Sequence, residues 1–383
     1  MEIYVVKSGD SIYSIANAYG IAVNNLIFDN QLIYPYELVP GQALFVGTGQ
    51  EGQNGTRREI AVSGYAYPFI SRWVLGETLP YLSELPIFSY GFSSTGELIP
   101  PLWDDRWLID MAIERRVQPI LTLTPFGPDG QFNNQLISSV INNQTYIDNI
   151  IENILQTMRD KGYVGVDIDF EFILATDRDK FTDFVRQVAE VMRANGFHTS
   201  VALAPKTSAD QRGLLYEGKD YRALGQVADH LLLMTYEWGY TYGPPMAVAP
   251  IDQVRRVVEY AITEIPREKL DLGIPNYGYD WTLPYERGVS RAKTIGNVEA
   301  VRLAISQGSE IMFDEVAQTP YFRYVDDNTG LQHEVWFEDV RSLQAKFDLL
   351  EEFKLRGCGY WQIMQWFRAN WLLLDKKFIV QKS

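Results

Sequence analysis

A single cysteine, Cys358, in 383 residues excludes a disulfide framework. The three histidines, His198, His230 and His333, are dispersed and show no zinc-ligand spacing with that cysteine, so no structural metal is expected. Positive charge is also scarce. Lys and Arg total 34 against 49 Asp and Glu, a formal net charge of −15, and no Lys/Arg-rich run breaks the deficit, which argues against nucleic acid as a partner. The first strand-like run after residue 58 ends GYAYPF with no GxGxxG word following it, and GxxxxGK[ST] and GxSxG do not occur, so neither a phosphate-cradling loop nor a nucleophile elbow is on offer there, and no cofactor is expected. No apolar run approaches about 18 residues, and the opening MEIYVVKSGD lacks a basic stretch leading into an apolar segment. Neither a membrane span nor secretion is therefore expected, and synthesis and retention inside a cell is the default. What the chain does have is apolar and aromatic material, at 46% and 13%, enough for a sizeable core.

The first 48 residues differ in rhythm from the rest. Ile3, Val5 and Val6 read as a short strand, and Ser8 to Ser11 as a turn in which Asp10 or Ser11 caps a helix. Ile12, Ile15, Ala16 and Tyr19 follow helical spacing up to Gly20, and Val23, Leu26 and Ile27 suggest a second helix. Past the Pro35 and Pro40-Gly41 turns, Ala43 to Val46 reads as a returning strand, which completes a small βααβ unit. Residues 49–58 are mostly Gly-rich and polar, as in a flexible linker.

From residue 59 onward, apolar strand-like runs recur at Ile60–Tyr65, Leu85–Tyr90, Val117–Leu123, Tyr163–Asp169, Thr199–Ala204, His230–Thr235, Leu270–Pro275 and Cys358–Ile363. Helical patterns such as Asn149–Lys161, Lys180–Asn195, Ile251–Ile265 and Val340–Arg356 lie between them. Eight buried strands alternating with helices predict a (β/α)8 TIM barrel, with an open doubly wound sheet as the rival. The interval between the seventh and eighth runs is too long for one crossover helix. Strand-like stretches at Glu310–Phe313, Tyr321–Val325 and Glu334–Phe337 around DDNTG predict a small α+β insertion there, at about 280–337.

The segment GYVGVDIDFEF carries the chemistry. On a strand, Asp167, Asp169 and Glu171 project to one face. Three acids turned toward an apolar helix layer would be prohibitively costly, so they point into the barrel and rise toward its C-terminal mouth. Neighbours about 6–7 Å apart along the strand repel one another in a poorly solvated cavity. At least one proton is then retained near neutral pH, which is what a general acid needs. The competing reading is a buried ion-pair network, for which Lys206 is the plausible basic partner, and one lysine does not neutralise three carboxylates.

The words YVVKSGDSIYSIANAYGI, LIFDN and LVPGQALFV in the first 48 residues resemble the lysin motif (LysM) module. That resemblance implies binding of N-acetylglucosamine-containing glycans such as peptidoglycan or chitin, in a groove between Gly9, Asp10, Ser11 and Ile12 on one side and Asn30, Gln31 and Leu32 on the other. Similarly, GVDIDFE resembles the DGxDxDxE signature of glycoside hydrolase family 18, and Gly64-Tyr65, MTYE, GIPNYGY and Tyr360-Trp361 fit further words of that family in order. Two positions depart from it. Val164 stands at the leading Asp, and Tyr236-Glu237 replaces a Tyr-Asp pair.

Carried over residue by residue, the resemblance makes Glu171 the general acid and Asp169 the carboxylate that holds the substrate acetamido group. Asp167 shares the charge of Asp169, and Tyr236 holds the acetamido group from across the barrel, assisted by Glu237. Trp361 becomes the floor under the sugar, and Tyr65, Asn276 and Tyr277 join the substrate-binding set. The implied activity is that of a retaining, substrate-assisted endo-β-N-acetylglucosaminidase on peptidoglycan, tethered by its LysM module and monomeric. LTPFGPDG, APKTSADQ and MTYEWGYTYGPPMAVAP most resemble spore-associated enzymes of endospore-forming bacteria, which implies action on cortex fragments during germination and deposition on the spore from the mother-cell cytoplasm. A chitinase and a non-catalytic, lectin-like barrel are the alternatives.

Overall fold

Strand runs that are apolar on both faces need cover on both, and a closed parallel barrel with helices outside supplies it. The structure, a computed structural model describing residues 2–47, 57–128 and 130–382, has this architecture. Its eight strands are Arg58–Gly64, Glu84–Phe92, Gln118–Leu123, Gly165–Ile168, His198–Leu203, His230–Leu233, Leu270–Pro275 and Gly357–Trp361. All are parallel, and the first pairs with both the eighth and the second, which closes the ring. A short C-terminal strand, Phe378–Val380, adds to the start of the first.

Alternation along the fourth strand sorts its side chains as the sequence predicts. Val166, Ile168 and Phe170 join the barrel core, where Phe170 stacks on Phe184 of the helix Arg178–Ala194 at 5.9 Å. Asp167 and Asp169 are buried among a different set of neighbours, inside the ring. The strand ends at Ile168, but Asp169 extends the ladder through its N–H to the Leu123 carbonyl at 3.0 Å.

Between the seventh and eighth strands lies an antiparallel sheet of five strands with one helix, Asn297–Ser306. Its strands are Gly278–Thr282, Lys293–Ile295, Met312–Asp314, Thr319–Val325 and Gln332–Trp336. The DDNTG turn is built on Asp326, whose carboxylate accepts the Asn328 and Thr329 N–H groups. Ala247, Val248, Tyr277, Tyr279, Trp281 and Trp336 form a cluster against which Tyr236 and Trp361 pack, so the insertion is one wall of the barrel mouth.

The N-terminal unit is a two-stranded sheet, Glu2–Val5 with Ala43–Val46, and two helices, Ile12–Tyr19 and Val23–Asp29. Ser11 caps the first helix in a reciprocal pair with Ser14, and Gly20 ends it. This unit is docked on the rest of the chain. Phe45 enters the barrel core and Val39 the insertion core. Asp29 pairs with Arg368 at 3.0 Å, and the Gln31 side chain bridges the Trp366 carbonyl and the Arg368 N–H. At Gly41, with φ of +82°, a Cβ would lie 1.8 Å from the Ile311 carbonyl oxygen, so only glycine permits this approach. Of the expected linker, residues 49–56 lie outside the described residues, and Arg58 already opens the first barrel strand.

At the barrel's N-terminal end, Arg356 bonds Asp271 at 2.6 Å and Glu84 at 2.5 Å, and His230 contacts Asp271 at 3.0 Å. His198 and His230, dispersed in sequence, meet there with ring centroids 5.7 Å apart.

Candidate active site

The C-terminal ends of the strands bring Asp167, Asp169, Glu171, Tyr65, Tyr236 and Trp361 together. Asp167 is fully buried and held on both oxygens, by Ser200 Oγ at 2.6 Å and by the Tyr65 hydroxyl at 2.8 Å. Ser200 is its register neighbour on the fifth strand. Burial pushes Asp167 above the usual carboxylate range, and these two hydrogen bonds pull only part of the way back. Asp169 is also buried, and its Oδ1 has no hydrogen-bond partner within the protein. Burial raises it well above its ordinary value, and the charges of Glu171 and Asp167 add to the shift. Burial likewise raises Glu171, which lies nearer the rim. All three acids of the strand are thus shifted in the direction that favours holding a proton.

Across the barrel, the Tyr236 hydroxyl is raised far above its usual range, by burial first and then by Asp169 and Glu171. The next residue, Glu237, has φ of +68°, an uncommon conformation for a side chain of this size. Two hydroxyls fix its carboxylate there, those of Tyr277 and of Tyr279, the latter at 2.9 Å. Loss of hydration still leaves Glu237 raised. Tyr277 thus acts on Glu237 from the insertion wall. Asn276 is buried and donates to the Gln362 and Gln365 carbonyls, which ties down the segment after Trp361. Trp361 makes edge contacts with Phe88, Tyr65 and Tyr67 at 4.9, 5.7 and 6.2 Å. From it an aromatic line runs outward, Tyr67 to Phe69 at 5.1 Å and Phe69 to Trp103 at 6.5 Å, ending in exposed rings.

Among the described residues, the cation beside the acids is not Lys206. The Lys206 ammonium bonds the Ala209 and Lys219 carbonyls instead. Lys219, fully buried, is the cation whose charge bears on Asp169 and Glu171. It comes from the loop after the fifth strand, where no apolar period marks which way a side chain turns. Ser200 was more accessible to sequence reasoning, because strand parity places it beside Asp167. Val164 lies before the start of the fourth strand, with its carbonyl on the His198 N–H, so the departure at this position is remote from Glu171.

The lysin-motif residues divide. Gly9 and Ser11 are exposed, Asp10 accepts from Tyr4 and the Lys7 N–H, and Ile12 is buried in the module's core. Asn30 bonds the Leu26 and Phe45 backbone, while Gln31 and Leu32 face the barrel and line a cavity of about 240 Å³ with Val301 and Phe367. Opposite the active site, Glu84, His198 and His230 bring ligand-type atoms within 4.8 Å of one another, but Arg356 already holds Glu84, which makes the cluster an ion-pair network.

Residues 123–365 match the family described as Glycosyl hydrolases family 18, and residues 4–47 match the LysM domain. Over its full length the chain is 35% identical to the cortical fragment-lytic enzyme of Bacillus subtilis (strain 168), covering 99% of that protein. It is 37% identical to the cortical fragment-lytic enzyme of Bacillus cereus, covering 100% of it. The crystal structure of the Bacillus cereus spore cortex-lytic enzyme SleL matches with a TM-score of 0.93 at 34% identity, over 100% of this chain and 99% of that one. A chitinase from Chromobacterium violaceum, with a TM-score of 0.76 at 22% identity, shares the fold. With its acid-bearing fourth strand, its closed barrel and its N-terminal LysM domain, the chain belongs to glycoside hydrolase family 18 and is a glycosidase.

Proposed function

We propose that the chain is a retaining endo-β-N-acetylglucosaminidase acting on peptidoglycan, in particular on fragments of spore cortex. The observation that carries this reading is the raised pair Asp169 and Glu171 with the Tyr236 hydroxyl near enough for both acids to raise it. Glu171, protonated, donates to the glycosidic oxygen. The substrate's own acetamido oxygen attacks the anomeric carbon from the other face, which explains a site with one acid at the rim and none placed as a separate nucleophile. Asp169 takes the acetamido N–H on its unpartnered Oδ1, and Tyr236 holds the acetamido group from the sixth strand. Asp167, pinned by Ser200 and Tyr65, keeps its charge against Asp169 and so favours a proton there until substrate arrives. Glu171 then deprotonates water, which opens the oxazolinium ion with net retention. Trp361 and the rings leading to Trp103 give the sugar chain its apolar track.

Full-length relatives named cortical fragment-lytic enzymes support the cortex as substrate and the spore as location. The LysM module contributes glycan binding from its open side, Gly9 to Ser11. A digest of purified cortex fragments beside chitin oligomers tests the reading. Release of muropeptides with retained anomeric configuration is expected. Products from chitin alone would replace peptidoglycan with chitin as substrate, and an inverted product would exclude acetamido participation.

A further inference from the structure

Lys219 has no place in the signature words, yet it is the cation buried with the acids. Its side chain is wholly inaccessible, and its ammonium makes one hydrogen bond, to the Ala202 carbonyl on the fifth strand at 3.0 Å. That partner is a carbonyl rather than a carboxylate, so Lys219 reaches the acids through space. The backbone around it is pinned on both sides. A Cβ at Gly218 would lie 2.2 Å from the carbonyl oxygen of Ile173, two residues beyond Glu171, so only glycine lets this loop close on the catalytic strand. On the other side Asp220 caps the helix Tyr221–Val227 and pairs with Arg178 at 2.8 Å. Lys206 fastens the Lys219 carbonyl from below at 3.1 Å. The ammonium is thereby held at Ala202, one residue past Val201, the register partner of Ile168, and so on the strand next to Asp169.

We propose that Lys219 is a positioning residue for the catalytic proton: its fixed charge keeps one carboxylate of the Asp169 and Glu171 pair ionised while the other holds the proton. This rests on the glycosidase reading above. With no cation beside them both members of the pair would hold a proton, leaving neither as the anion that takes the acetamido N–H. The remaining groups facing the pair are Asp167, the hydroxyls of Tyr65, Tyr67 and Tyr236, and Glu237, none of which is positive. Lys219 itself is pushed down to about 8, by burial and against the pull of the three acids, so it carries its charge only up to mildly alkaline pH.

The test is the pH profile of kcat/KM on a soluble N-acetylglucosamine oligomer or cortex fragment. In K219M the acidic limb should move up by about one pH unit or more, because the anion has lost its favourable charge. K219R, which keeps the charge, should leave that limb in place even if kcat falls. A folded K219M with an unmoved limb overturns the proposal, whereas wild-type protein inactive on both substrates overturns the glycosidase reading instead. Should K219M fail to fold, lysine Cε NMR titration of the wild type and of the double variant D169N/E171Q decides. Two lysines are pushed down to about 8, Lys219 and Lys382. Loss of the pair's negative charge should lower the titration of one and leave Lys382 unmoved. If neither moves, Lys219 is not coupled to the acids.

Discussion

Three raised carboxylates on one strand face cost the folded chain stability, and the sign of that cost is testable. Asp169 has a folded pKa well above its ordinary value, so between the two values the folded state binds a proton that the unfolded state has released. Stability therefore falls as pH rises through that window. D169N cannot ionise, so it should melt higher than wild type at pH 7, with the gain vanishing below about pH 4, where the unfolded aspartate is also protonated. Thermal melts at both pH values check this, and a D169N protein less stable at pH 7 would mean Asp169 is stabilised by its surroundings. E171Q should lose about 10²-fold or more in kcat while still binding glycan. Substantial residual turnover would remove Glu171 from the role of acid. The catalytic strand was legible because period-two alternation turns a string of letters into a face. Lys219 was not, since a loop lysine announces neither its direction nor its depth, and Lys206 beside a strand end was the more visible candidate.

At the scale of elements, the eight barrel strands were legible for the same reason: each is an apolar run bounded by turn residues. The insertion was only partly so. Its paired strands Thr319–Val325 and Gln332–Trp336 flank a clear turn, whereas Gly278–Thr282 follows closely on the seventh barrel strand and reads as its continuation. That continuation carries Tyr279 to Glu237. The barrel floor was invisible in sequence because its members come from the starts of four strands and the residue before a fifth. Glu84 is held there at about 2, where burial alone would have raised it, through His230 and Arg356. Its depressed value contributes stability that is present above the unfolded glutamate pKa of about 4.3 and lost as pH falls toward 2. R356M strands two buried carboxylates and should cost about 3–5 kcal/mol in urea unfolding at pH 7. The penalty should narrow at pH 3, and a cost that does not change with pH would point to lost packing in place of lost charge.

At the scale of the whole molecule, a flexible tether is the expectation from the Gly-rich segment after residue 48, and docking of the module changes what its removal should do. A module on a free leash contributes local concentration and nothing to the barrel's stability. Here Phe45 and Val39 leave the module to fill two cores that belong to the rest of the chain, and Arg368 lies over the Phe28 ring at 4.2 Å while pairing with Asp29. Cutting at the end of the module strips both apolar side chains and exposes the surfaces they covered. At about 1.5–3 kcal/mol for each buried side chain, the loss is on the order of 3–6 kcal/mol before allowing for residual burial in the unfolded chain. A chain lacking residues 1–48 should therefore melt lower by on the order of 5–10 °C. Below that temperature it should still hydrolyse short soluble oligomers, because no residue of the module lies among the acids, and it should bind insoluble glycan less. Differential scanning calorimetry of the two forms separates the possibilities: equal melting temperatures would make the module a passenger on the barrel, whereas a lower one makes the LysM unit part of the body that holds the catalytic strand in place.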